Sequence, residues 1–355
     1  MRSVVNIILS SLYYEKNRVT GANKRFDFFG KNLQSRENIN LTVLVREGET
    51  PDWAENIITL PRYDSMPSVI RRLVYCIKLT YIFYKHEGVI INDFMPVPLV
   101  FSKRNYYYQL VHDIRNFTDF NRAAVKKISS LFQKIQWRIV PNILTVSSFT
   151  KNQLIKYCNV NPYKIAVSYN GIDPVKRKKV KKDIDFLYIA TFEKRKNHDN
   201  LIIAFSNYVK KYEQHATLFL IGRDLGYRKH IEALISKYQI GEFVTIIEKI
   251  SESELNILYE RTYCFVNPSL YEGFGMPLIE AMYFDCHVIC SDIDVFHEIA
   301  KEHAYYFDPL DHESILNAMK EIKNTEIKDG CKTSYAIKNF SWSAIADNFI
   351  NLLVK

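Results

Sequence analysis

The sequence predicts an α/β protein made of two doubly wound, Rossmann-like parallel-sheet domains. Three observations lead there: short β-branched runs alternate with amphipathic segments, the alternation is sustained twice, and turn residues followed by lysines divide the two series. In the first half, buried strands are expected at Val4 to Leu9, Asn40 to Val45, Gly88 to Asn92, Tyr107 to Val111, Ile143 to Val146 and Ile165 to Ser168. The second half repeats the pattern at Asp185 to Ala190, Thr217 to Ile221, Val244 to Ile247, Tyr263 to Val266, His287 to Cys290 and Tyr305 to Phe307. Asn197 to Tyr212, Tyr227 to Tyr238, Glu252 to Tyr259 and Ser314 to Ile322 carry the helical period between them. The divide is Asn170-Gly171-Ile172-Asp173-Pro174, followed by a basic run to Lys182 that can bury nothing. A linker at about 171–184 separates domains of 1–172 and 173–340, and a last helix of about 341–355 is expected to pack back on the first. Open parallel sheets bind ligands beyond the carboxyl ends of their strands, so a cleft between the domains is the expected site.

Composition narrows the function. With 355 residues, 47% of them hydrophobic, the chain can fill two ordinary cores. Only 11 Gly and 11 Pro, with no repeat, exclude collagenous, solenoid and disordered classes. The net charge of +9 is uneven: residues 1–170 hold 24 Lys and Arg against 12 Asp and Glu, while residues 171–355 hold 24 against 27. The basic half points to an anionic partner. Six scattered cysteines and no signal sequence predict a reduced, cytoplasmic protein. Cys286 and Cys290 flank His287 without a second ligand pair and read as buried thiols. The longest apolar stretch, Leu73 to Tyr84, is interrupted by Lys78 and too short to span a bilayer.

The richest chemistry lies in Ser269-Leu270-Tyr271-Glu272-Gly273-Phe274-Gly275-Met276-Pro277-Leu278-Ile279-Glu280, between a strand and a helix. Pro277 suits a first helical turn, and Gly273 and Gly275 let the backbone bend tightly and bring a helix N-terminus to an anion. Glu272 and Glu280 bracket the loop with carboxylates able to accept from paired sugar hydroxyls.

These residues resemble the signature of retaining glycosyltransferases of the GT-B fold, family four. Thr145 to Thr150, Tyr169 to Asp173, Asp292 to Glu298 and Tyr306 to Pro309 extend the likeness. The resemblance implies that Glu280 holds the ribose of a nucleotide-diphosphate-sugar, that Glu272 contacts the transferred sugar, and that the loop Gly273, Phe274, Gly275 and Met276 meets sugar and diphosphate. A second anion site is expected in Ala190 to His198, where Arg195 and Lys196 follow a strand and can neutralise a diphosphate leaving group; the family's glycine of that turn is Ala190 here. His112, ending the strand that holds Tyr108 to Val111, resembles the family's active-site histidine. Gly21 after the first strand corresponds to a glycine near the diphosphate, and Ile247 to the base-binding turn, with Glu248 standing where a glycine is usual.

The function so implied is transfer of a sugar to a hydroxyl of a glycan acceptor, lipid-linked on undecaprenyl diphosphate, in O-antigen or capsule synthesis. No Asp-x-Asp is placed to hold a metal-bound diphosphate, so metal-independent chemistry with no cofactor is expected. Retention follows from the family, by front-face attack in which a donor phosphate oxygen takes the acceptor proton, or by Glu272 as a covalent nucleophile. Arg71, Lys78 and Lys85 with Tyr75 and Ile82, and Arg122, Lys126, Lys127, Lys134 and Arg138 with Phe132 and Trp137, form two basic aromatic stripes suited to the anionic inner face of the plasma membrane. A GT-B nucleotide-sugar epimerase and a polyanion-binding protein compete with this reading. Nucleic acid is disfavoured by the lack of a recognition motif, and a dehydrogenase by the lack of Gly-x-Gly-x-x-Gly after the first strand.

Overall fold

The computed structural model describes residues 4–18, 20–93, 95–117, 127–178, 180–323, 325 and 330–353. The chain divides into two compact units, Met1–Gly171 with Trp342–Lys355, and Ile172–Ser341. The first contains β1 (Val5–Ser10), α1 (Gly21–Gln34), β2 (Ile39–Arg46), β3 (Asn56–Leu60), α2 (Ser68–Lys85), β4 (Gly88–Asp93), β5 (Asn105–Val111), α3 (Lys127–Ile139), β6 (Asn142–Thr145), α4 (Ser148–Cys158) and β7 (Ile165–Val167). The strands form one parallel sheet in the order β3-β2-β1-β4-β5-β6-β7. Its central strands are apolar on both faces, as Ile7 to Leu9 and Val89 to Ile91 show, because side chains on either face are covered. Edge strand β3 was not expected from the sequence. Only Leu60 of its five residues is buried, and Asn56 and Thr59 break up the apolar run.

The two basic stripes need correction. Tyr75 is buried in the core of the first unit, where its hydroxyl donates to the carbonyls of Pro61 and Arg62, and Ile82 packs against the same core. The apolar side chains that α2 leaves exposed are instead Val69, Ile70, Leu73, Ile77, Tyr81 and Tyr84, on the other side of the helix. On α3, Trp137 is buried against Phe117 (ring centroids 5.1 Å apart), Arg138 Nε donates to the Cys158 carbonyl (2.7 Å) and Phe132 is exposed. Arg122 and Lys126 lie outside the described residues, as does the side chain of Lys127.

The second unit contains β8 (Ile184–Ile189), α5 (His198–Lys211), β9 (Leu218–Ile221), α6 (Arg228–Tyr238), β10 (Val244–Ile247), α7 (Glu252–Arg261), β11 (Thr262–Asn267), α8 (Met276–Tyr283), β12 (His287–Ser291), α9 (Asp294–Ala300), β13 (Tyr305–Phe307), α10 (His312–Lys323) and α11 (Cys331–Phe340). Its sheet is parallel throughout, in the order β10-β9-β8-β11-β12-β13. The main core lies between this sheet, α5 and α10, with Phe186, Phe205, Leu218, Val266, Ile315 and Met319 at its centre. Two parallel Rossmann-like sheets in one chain give the GT-B fold class.

The segment expected as the interdomain linker is tied to the second unit. Arg177 Nη1 donates to the Tyr283 carbonyl (2.6 Å), to Asp285 (3.0 Å) and to Thr333 (2.8 Å), and the Tyr283 hydroxyl donates to the Val175 carbonyl. The last helix, α12 (Trp342–Leu353), belongs to the first unit. Phe349 meets Phe29 and Tyr108 edge-on, each at 5.7 Å, and Arg36 pairs with Asp347 and donates to Ser343. No described helix is long and apolar enough to cross a membrane.

Candidate functional site

In each sheet the strand order reverses once, between β1 and β4 and between β8 and β11. Loops at the carboxyl ends of such strands diverge and leave room for a ligand. In the second unit these two loops hold Arg195 and Lys196 after β8 and Glu272 to Gly275 after β11, and the structure brings them together.

Glu272 is the hub. Lys196 Nζ donates to its Oε1, the Ser269 hydroxyl donates to the same oxygen (2.9 Å), and Arg195 Nη1 stands 3.6 Å from its Oε2. Arg195 also donates to the Tyr271 carbonyl (2.9 Å) and to Glu193 (2.9 Å), and the Thr191 hydroxyl donates to Glu193 (2.7 Å). Burial raises the Glu272 carboxyl, but the opposing charges of Lys196 and Arg195 outweigh it and hold the group below its ordinary value. Lys196 is pulled down from its usual range, first by burial, with Arg195 adding to the effect against the attraction of Glu272. The cluster therefore holds two cations and two carboxylates in nearly dry surroundings.

Its frame was not visible in the sequence. The buried hydroxyl of Tyr188 donates to the Lys196 carbonyl (2.8 Å) and meets Ser269 Oγ at 3.0 Å, and Asn197 Nδ2 donates to the carbonyls of Pro268 and Pro309. Asn197 adopts the left-handed conformation (φ 57°) that asparagine tolerates, turning the chain from the basic residues into α5.

Gly275 is the N-cap of α8 at φ 99°, with Pro277 in the first turn. Phe274 and Met276 are buried, Phe274 edge-on to Phe340 at 5.9 Å, so their side chains belong to the packing beneath the loop. Glu280, one turn into α8 and partly exposed, accepts from the Tyr259 hydroxyl (2.8 Å). Ile247 ends β10, and its carbonyl accepts from Gly222 N (2.9 Å); the neighbouring Glu248 is ion-paired with Arg228.

The remaining expected residues lie in the first unit. His112 follows β5, with Nε2 2.7 Å from Asp93 Oδ1, and the Ser11 hydroxyl donates to Asp93 Oδ2 (3.0 Å). Asp93 and Ser11 had no signal beyond their positions at strand ends. Gly21 is the first residue of α1, beside Thr20, whose hydroxyl accepts from Asn23 N (3.2 Å). Cys286 and Cys290 are buried free thiols.

Beside the cluster, His198 is fully buried against Tyr188 and Phe192, and its ring nitrogens have no hydrogen-bond partner among the described residues. Burial, reinforced by the Lys196 charge, lowers its pKa to about 3. His287, also buried, is lowered to about 4 by burial and by Lys332 and Lys182. Both are neutral when folded and take a proton near pH 6.5 when unfolded, so their stability contribution is complete above that value and is lost as pH falls toward 3 to 4. By pH 5 each site costs about 2 kcal/mol relative to neutral pH. Urea unfolding at pH 7.5 and 5.0 should show this loss, and H198F should remove about half of it.

Residues 171–340 match the family model described as Glycosyl transferases group 1. The O-antigen chain mannosyltransferase RfbU of Salmonella typhimurium is 33% identical over 216 residues, covering 60% of this chain and 60% of that protein, so the match spans less than two thirds of this relative's length. Among solved structures, sucrose-phosphate synthase from Thermosynechococcus elongatus superposes with a TM-score of 0.77 at 17% identity over 98% of each chain. Anabaena HepE, solved in complex with UDP and glucose, gives 0.73 at 14% identity over 99% of each chain.

Proposed function

We propose that the protein, whose residues 171–340 match the glycosyl transferases group 1 model, moves a sugar, mannose by its likeness to RfbU, from a nucleotide-diphosphate-sugar to a lipid-linked glycan of a surface polysaccharide such as O-antigen. The observation that supports this best is the Arg195–Lys196–Glu272 cluster beside the start of α8. An arriving diphosphate competes with Glu272 and Glu193 for the N–H groups of Lys196 and Arg195, and the amides of the first turn of α8 add a partial positive charge. As the glycosidic bond ionises, charge grows on the phosphate oxygen that these groups face, so they stabilise the transition state more than the ground state. Glu272, ionised and engaged at both oxygens, is better suited to orient sugar hydroxyls than to attack carbon. This favours front-face transfer with retention, without a metal. Glu280 takes the ribose hydroxyls on its exposed side.

The test is release of nucleoside diphosphate and growth of the acceptor across a panel that includes mannose on each base, with and without chelator. Acceptor-dependent release is expected. Absence of transfer from every donor would sink the proposal, and conversion of the donor alone into an epimer would replace it. E280Q should raise the donor KM about tenfold with kcat little changed, since it weakens a contact made equally in ground and transition states.

The exposed apolar side of α2, flanked by Lys78 and Lys85, supports peripheral contact with an anionic membrane. L73D with I77D should abolish co-sedimentation with anionic vesicles at low salt, and unchanged co-sedimentation would remove the membrane reading.

A further inference from the structure

The first unit has a cavity of about 110 Å³ away from the donor-site residues described above. Its wall includes Tyr13 after β1, Arg46 at the end of β2, and Ser68, Arg71, Arg72 and Tyr75 on the first turns of α2. The cavity lies at the carboxyl ends of parallel strands, beside the point where the strand order reverses. Three arginines line this small volume. Arg71 pairs with the exposed Asp64 (3.0 Å), whereas Arg46 and Arg72 have no ion-pair partner among the described residues. Arg46 Nε is buried and donates to no described group. A buried donor without an acceptor is rare in folded proteins, and where three arginines line one small volume and only Arg71 has a described carboxylate partner, the unbalanced charge favours an anion over a neutral acceptor. The space matches three to four water molecules, on the order of 30 Å³ each, which is the scale of a tetrahedral oxyanion. Planar guanidinium forks match the paired oxygens of phosphate, and several around one volume exceed what a single carboxylate satisfies.

We propose that this cavity holds the phosphate or diphosphate group of the acceptor, an assignment that rests on the transferase reading for the acceptor's identity but not for the anion chemistry. The acceptor is then held by the first unit through an oxyanion separate from the donor diphosphate, which the second unit takes at Arg195 and Lys196. The apolar residues that α2 exposes lie on its other side, so the cavity recognises the head group and not the lipid chain.

Calorimetric titration of the full chain with farnesyl diphosphate, inorganic pyrophosphate and farnesol tests this, in wild type, R72A and R46K. Arg72 is exposed, so R72A should fold normally, and R46K keeps the charge while losing the fork. Farnesyl diphosphate affinity should fall about 10- to 100-fold in R72A, as expected for loss of charge-assisted hydrogen bonds, while UDP and GDP affinities stay unchanged. Farnesol should not bind at this site. Pyrophosphate bound as tightly as farnesyl diphosphate, with the same dependence on Arg72, supports the site with free phosphate as its source; tighter farnesyl diphosphate supports it with a lipid source. Unaltered farnesyl diphosphate affinity in both variants overturns the proposal, and so does a parallel loss of nucleoside diphosphate affinity, which gives the cavity to the donor. Arg72-dependent diphosphate binding in a protein that transfers no sugar keeps the site and removes the transferase reading. Normal transfer with an unchanged acceptor KM in R72A does the reverse.

Discussion

K196A is expected to lower kcat by about 10²- to 10³-fold, the usual cost of removing one donor aimed at developing charge. Lys196 is buried and lies against Glu272, with its backbone carbonyl fixed by Tyr188. Its ammonium is therefore held in place, and in the proposed role it would act on a diphosphate with little screening by water. The same substitution leaves the Glu272 carboxylate buried without its nearest cation. Stripping one partner from a buried pair costs roughly 3–5 kcal/mol; here the loss should be smaller, because Arg195 remains 3.6 Å away and Ser269 still donates. The two effects separate in K196A/E272Q, which removes the orphaned charge: melting temperature should recover while turnover stays low. Near-wild-type kcat in K196A would remove the diphosphate role, whatever the melting curve shows.

The parts of this cluster were unequally legible. Glu272, Gly275, Pro277 and Glu280 lie within nine consecutive positions, so a strand-to-helix turn with an anion-binding start could be read directly. Arg195 and Lys196 were legible because cations just after a strand face the ligand end of a parallel sheet. Tyr188 and Ser269 were not, since they are 81 residues apart and join only through the pairing of β8 with β11. Asp93 and Ser11 were hidden for the same reason, at strand ends that meet only once β1 and β4 pair. Strand positions were recoverable because buried parallel strands are continuous apolar runs; β3 escaped because an edge strand can leave polar side chains in water. The basic stripe on α2 failed differently. Heptad spacing placed Tyr75 with Arg71 and Lys78, but periodicity alone cannot say which side of an amphipathic helix meets the core when both sides carry aromatic residues.

G275A should abolish most transfer activity and lower the melting temperature, through two costs that can be separated. At φ 99° the residue lies where L side chains are disfavoured, and a Cβ built there stands 2.8 Å from Phe296 Cε1. Phe296 is fully buried on α9, so its ring has no room to retreat. Left-handed backbone for a non-glycine residue costs about 1–3 kcal/mol, and overpacking a core costs a similar amount. Gly226 provides the control, since it has φ 92° and nothing within 4 Å of a built Cβ. G226A should therefore show the backbone cost alone, about 2–4 °C of melting temperature per kcal/mol for a unit of this size, with transfer intact. The further loss in G275A measures the clash with Phe296, and F296L in the same chain should return part of it by giving the ring position more freedom. Activity should follow the position of the α8 start and not stability. If G275A and G226A lost equal stability and both kept full transfer, the backbone of this loop would have no part in holding the donor.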